Sequence, residues 1–257
     1  MTHDPNHVRP VVHGLTLGVL MLDTRFTRFP GEIGNAATWS VPLQFKIVRG
    51  ATPARVIEDR GRGLLDPFVD AAQELIDMGV RGITTSCGFL ALFQRELSAR
   101  LSVPVATSSL LQVPMVERML PAGKRVGILT INRTALTGAH LAAVGVDGAT
   151  PIAGMPEDSL FRRVFTDRAS PSEADFAVLQ REMVAAARAL AASHPEVGAI
   201  VFECTNMPPF AAAVREATGL PVFDVVGMLR WFIDAIRLQS GLQPAPQSGL
   251  QPGLQAE

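Results

Sequence analysis

The stretch Val80-Arg81-Gly82-Ile83-Thr84-Thr85-Ser86-Cys87-Gly88-Phe89 reads as an apolar strand that ends on a cysteine, with a helix to follow. A second stretch, Gly198-Ala199-Ile200-Val201-Phe202-Glu203-Cys204-Thr205-Asn206-Met207, repeats the pattern roughly half a chain later. Outward from the first, the segment from Asp66 to Gly79 carries helix grammar. Asp66 suits a cap and Pro67 the first turn, Phe68, Ala71, Ala72, Leu75 and Ile76 share a face, and Gly79 suits a stop. Upstream lie a strand at Leu15 to Leu22 and a long loop rich in Pro and Gly.

The second half follows the same order. Strands are expected at Lys124 to Thr130, Gly198 to Phe202 and Pro221 to Phe223. Helices are expected at Thr134 to Val144, at Pro171 to Ala192 behind a Ser170/Glu173 capping box, and at Gly227 to Leu238. Strands alternating with amphipathic helices specify an α/β chain whose short sheets are mostly parallel. Matched halves predict two pseudo-symmetric lobes with a cleft between them. The expected division is an extension at 1–14, a first lobe at 15–115 and a second at 116–225. A helix at 226–239 is expected to pack back on the first lobe, and a disordered tail at 240–257 repeats Gly-Leu-Gln-Pro.

Composition narrows the function. The chain has 257 residues, 47% of them hydrophobic, and a formal net charge of −1. No apolar run approaches the ~20 residues of a membrane span, and the charge argues against nucleic acid or an anionic membrane as partner. A small-molecule substrate is expected, with a homodimer as the default assembly. The first residues lack the pattern of a secretory signal, so a cytoplasmic setting is expected and both cysteines are read as free thiols. The five histidines show no zinc-ligand spacing and no phosphate-binding glycine loop follows a strand, so neither metal nor cofactor is expected.

In an open parallel sheet, ligands bind beyond the carboxyl ends of the strands, where Cys87 and Cys204 both fall. Thiols on opposite walls could remove a proton from one face of a carbon and return one to the other. Helix N-termini beside them are expected to lower their pKa. The backbone N–H groups at Gly88, Phe89, Thr205 and Asn206, with the hydroxyl of Ser86, are candidates for stabilising charge on a substrate carboxylate. Thr24, Arg25 and Asn35 in the first loop, and Thr130 and Asn132 in its counterpart, are further candidate substrate ligands. Against these stand ordinary roles: a cysteine in an apolar strand packs as a core residue, and Ser or Thr caps a turn. Glu203 and Asp224 are read as structural acids rather than primary bases.

Three segments, Ile83-Thr84-Thr85-Ser86-Cys87, Arg125-Val126-Gly127-Ile128-Leu129-Thr130 and Val201-Phe202-Glu203-Cys204-Thr205-Asn206-Met207-Pro208, resemble the aspartate/glutamate/hydantoin racemase superfamily. The resemblance implies two α/β lobes, one catalytic cysteine from each, and no pyridoxal phosphate. Glutamate racemases follow their first cysteine with Asn-Thr and their second with Thr-His, where this chain has Gly88-Phe89 and Thr205-Asn206. That difference implies a less polar or larger substrate, such as a hydantoin or an aryl-substituted acid. Arylmalonate decarboxylases of the same superfamily lack the first-lobe cysteine. The reading is therefore an isomerase, a racemase or epimerase using two thiols, with a cis-trans isomerase, a decarboxylase or a two-lobed binding protein as alternatives.

Overall fold

The computed structural model describes residues 11–166 and 174–237. Two four-stranded sheets, every neighbouring pair parallel, form the two lobes. The first contains β1 (Leu17–Met21), β2 (Leu43–Ile47), β3 (Gly82–Thr85) and β4 (Val105–Ala106) in the order β2-β1-β3-β4. The second contains β5 (Arg125–Thr130), β6 (Ile152–Gly154), β7 (Val197–Phe202) and β8 (Val222–Phe223) in the order β6-β5-β7-β8. The orders coincide, so β3 and β7, the strands leading to the two cysteines, hold equivalent places. The racemase-type two-lobed α/β architecture expected from sequence is the architecture found.

The central strands are buried on both faces, as helix-covered parallel strands are; β1 and β7 read as unbroken apolar runs, while β3 buries Thr84 and Thr85, whose hydroxyls donate to the Ala106 and Thr107 carbonyls. The helix α1 (Leu65–Met78) returns the chain from the first sheet's edge to β3. It ends where Gly79 takes φ 117°, a left-handed value that a side chain would strain, and the Val80 N–H reaches the Leu75 carbonyl at 3.2 Å. Asp66 is not the cap, because the helix begins one residue earlier at Leu65. It lies instead in the first turn, where its charge suits the dipole, and pairs with Arg100 at 2.7 Å.

Other boundaries moved for local reasons. The helix expected from Thr134 is α4 (Gly138–Ala143). Asn132 Oδ1 accepts bonds from the Thr134 hydroxyl at 2.8 Å and from its backbone N–H at 3.2 Å, folding that stretch into a turn instead. The long helix α6 (Phe176–Ser193) is capped by Asp175, whose side chain accepts from the N–H groups of Ala177 and Val178. The Ser170/Glu173 capping box and the 240–257 tail lie outside the described residues.

One core runs through both lobes, from Leu20, Phe68 and Ile83 to Ile128, Val201 and Phe210. A second cluster forms on the far face of the first sheet, where α8 (Val225–Ile236) lays Val226, Leu229 and Ile233 against Leu17, Val19 and Ala106. Asp224 caps α8 by accepting from the Gly227 N–H at 2.8 Å. Among the described residues no helix is long and apolar enough to cross a membrane.

Candidate active site

β3 and β7 deliver Cys87 and Cys204 to one small cavity between the lobes. Its walls include Arg28, Ser86, Cys87, Gly88, Phe89, Glu203, Cys204, Thr205 and Asn206, with Thr24, Phe26, Ile131 and Phe165 around them. Its free volume is about 20 Å³, room for roughly one water. A groove of about 790 Å³ lies elsewhere, against α8, with Met115 and Trp231 in its wall. Neither thiol lines that groove; both line the small cavity.

Inter-lobe bonds fix the geometry. The Thr205 hydroxyl donates to the Ser86 carbonyl at 2.7 Å, and the Ser109 hydroxyl donates to the Phe202 carbonyl at 2.5 Å. The Ser86 hydroxyl in turn accepts from the Leu22 N–H at 2.9 Å. Gly88 is required by close approach: a Cβ there would sit 2.2 Å from the Glu203 carbonyl oxygen and 2.3 Å from Glu203 Oε1. Within the loop after β7, Asn206 donates its side-chain N–H to Cys204 Sγ at 3.6 Å.

The first loop places its residues differently from the sequence expectation. Arg25 is 70% exposed, pairs with Asp23 and lies outside the cavity wall. Asn35 caps a short turn by accepting from the Ala37 N–H, donates to the Arg28 carbonyl, and also lies outside the wall. Asn132 lines a neighbouring cleft with Glu157 and Arg162. Thr130 reaches the site indirectly, donating its hydroxyl to Glu203 Oε2 at 2.7 Å. Of the loop candidates only Thr24 lines the cavity, accepting from Arg28 Nη2 at 2.9 Å.

Arg28 therefore takes the place expected of Arg25. Its side chain is 16% exposed, and its guanidinium pairs with the buried Glu32 and stacks 4.5 Å from the Phe26 ring centre. Nothing in the sequence separates Arg28 from Arg25, since the two share one loop and only folding sets which of them turns inward. Buried Phe89 packs edge-on against His140, ring centres 5.3 Å apart, and His140 is held neutral by burial, its pKa pushed down to about 4.

The thiols are not activated at rest. Burial, reinforced by the nearby Glu203 carboxyl, pushes Cys87 up to about 12, although the N–H groups of Phe89 and Leu90 and the charge of Arg28 pull the other way. The same two causes raise Cys204 well above its usual value, and charge on Cys87 raises it further, so the two thiols feel each other. The expected lowering by helix N-termini is thus outweighed. Cys87 heads only a 3₁₀ helix, and Cys204 is separated from the next 3₁₀ helix, at Pro208–Phe210, by three residues. A helix end contributes about 0.3–1 kcal/mol, whereas full burial can move a pKa by several units. Glu203, fully buried, is itself pushed up to about 7, and so is Glu32, in both cases by burial first.

No family model matches the sequence. The chain is 32% identical over 236 residues to the dimethylsulfoniopropionate lyase of Durusdinium sp. clade D, covering 87% of this chain and 76% of that protein. It is 30% identical over 236 residues to dimethylsulfoniopropionate lyase 7 of Emiliania huxleyi, covering 86% and 67%. Among solved structures it resembles allantoin racemase from Klebsiella pneumoniae, with TM-score 0.60, 15% identity and coverage of 86% and 87%. It also resembles a glutamate racemase from Bacillus anthracis, with TM-score 0.56, 15% identity and coverage of 86% and 82%. At that identity the racemase likeness is one of fold. The relatives in sequence are lyases, and they overturn the isomerase reading in both its racemase and epimerase forms. The decarboxylase alternative came nearer in reaction class.

Proposed function

The chain belongs to the dimethylsulfoniopropionate lyase family, and from that premise we propose that it splits dimethylsulfoniopropionate into dimethyl sulfide and acrylate by β-elimination. The reaction begins as a racemisation does, with removal of a proton from the carbon next to a carboxylate. It then diverges: the C–H electron pair forms the new C=C bond, and the C–S bond breaks with its electrons on sulfur. Neutral dimethyl sulfide leaves, and the proton held by the base returns to solvent. Elimination needs one base, so the two thiols are not equivalent here as they are in a two-base exchange.

The observation that carries the reading is the meeting of two buried thiols, one guanidinium and two apolar aromatic walls around a single cavity, which in this closed form holds about one water and has to widen to take the substrate. Arg28 offers a planar fork for the substrate carboxylate, and Phe89 and Phe165 offer apolar surface for the methyl groups of a sulfonium cation. The same cation supplies what the resting thiols lack. A positive charge arriving in the cavity stabilises a thiolate, so ionisation is coupled to binding the right substrate. A small-molecule substrate, a cytoplasmic setting and a homodimeric assembly are part of the proposal.

The test is release of dimethyl sulfide into the headspace above purified protein supplied with dimethylsulfoniopropionate, with Cys87→Ala and Cys204→Ala beside the parent. A general base contributes about 10²–10⁴ in rate, and the variant losing most identifies it. Parental turnover in both variants refutes the thiol mechanism, and no dimethyl sulfide from the parent refutes the reaction.

A further inference from the structure

We propose that Glu203 is the counter-charge that selects a cationic sulfonium over its neutral thioether analogue; this rests on the lyase reading and names how that site recognises sulfur. Glu203 is fully buried at the end of β7 and lines the cavity between the two cysteines. One carboxyl oxygen is committed, since Oε2 accepts from the Thr130 hydroxyl. The other, Oε1, is buried and has no hydrogen-bond partner among the described residues. It lies against the Gly88 backbone, where glycine alone leaves room for it. The Ser109 hydroxyl donates to the Glu203 carbonyl at 3.2 Å and holds the backbone in place.

An oxygen left without a donor in a buried site is suited to a ligand that offers charge and no N–H or O–H. A dialkyl sulfonium is such a ligand: it carries a full positive charge on sulfur and cannot donate a conventional hydrogen bond. Arg28 and Glu203 then present a cation and an anion to one cavity, the pattern that complements a zwitterion of short reach. A thioether acid shares the carboxylate and the shape but gains nothing from the carboxyl. Cys87, Cys204 and Arg28, which share the cavity with Glu203, and Thr130, which bonds to it, remain unchanged in the test variant.

Glu203→Gln keeps the side chain's size and an acceptor for Thr130 while removing the charge. Dissociation constants are measured by calorimetry for dimethylsulfonioacetate, which has no β-carbon to eliminate across, and for neutral (methylthio)acetate. The expected result is weakening of the sulfonium by about tenfold or more with the thioether changed less than twofold. Equal shifts for both ligands, no shift for either, or failure of the parent to bind the sulfonium overturns the proposal. The lyase reading is scored separately: a parent that binds the sulfonium in preference to the thioether, and loses that preference in the variant, yet releases no dimethyl sulfide, refutes the reaction and keeps the selectivity.

Discussion

Raising the pH should drive kcat/KM of this enzyme upward throughout the mildly alkaline range, and the reason is the depth of its thiols. With Cys87 pushed up to about 12, only about one molecule in ten thousand carries the thiolate at pH 8. Because kcat/KM reports ionisations of the free enzyme, it should climb about tenfold per pH unit from pH 7.5 to 10, with no plateau. The profile of kcat should bend earlier. A substrate cation about 4 Å from the sulfur is worth about 4 kcal/mol at an effective dielectric of 20, or about three pKa units. That brings the bound thiol to about 9. The assay is initial dimethyl sulfide release at saturating and at limiting substrate over the same pH series. A kcat/KM profile that levels off near pH 7 to 8, or one that bends where kcat bends, refutes both the buried thiol and the role given to the cation.

Four further outcomes follow from the geometry. Arg28→Met should cut kcat/KM for dimethylsulfoniopropionate by roughly 10- to 100-fold, the worth of a charge-assisted hydrogen bond, whereas Arg25→Met should leave it unchanged. Gly88→Ala drives a Cβ into the Glu203 backbone and should cost about 1–3 kcal/mol, a fall of about 2–10 °C in a thermal melt; an unchanged Tm would show that the strand ends separate freely. Glu32 and Glu203, both raised in the folded state from 4.5 to about 7, bind more protons folded than unfolded. Their contribution is fully present below the unfolded pKa and is lost as pH rises toward 7. Denaturant titrations from pH 4.5 to 7.5 should therefore show up to about 3 kcal/mol less of this loss in Glu203→Gln than in the parent, and parallel curves would refute it.

The parts of the fold legible in the sequence were those buried on both sides. β1 and β7 are unbroken apolar strands, β3 and β5 end in buried threonine, and α1 advertises both its face and its glycine stop. β2 was read as loop because it sits at a sheet edge, half-exposed, with Gln44 and Lys46 breaking its apolar sequence. β4 and β6 hold two and three residues, too few to show a period. At the site, the strand-to-cysteine junctions could be read because a thiol interrupts an apolar run in the same way twice. Choosing Arg28 over Arg25 could not be read, since both stand in one loop and only the packing of Phe26 and Glu32 turns one inward. The reaction class was misread for a chemical reason. Deprotonation beside a carboxylate opens both racemisation and elimination, and the leaving group that separates them belongs to the substrate.

The unbroken core that passes from one lobe into the other has a consequence for traffic. Prising the halves apart to admit a molecule would wet Phe89, Ile131 and Phe202 together, an expense far above thermal energy. Entry is expected instead through the rim, where Thr24 and Arg28 stand on a loop rather than in that core. The residue proposed to grip the incoming acid would then travel with the door, so that capture and closure become a single stroke.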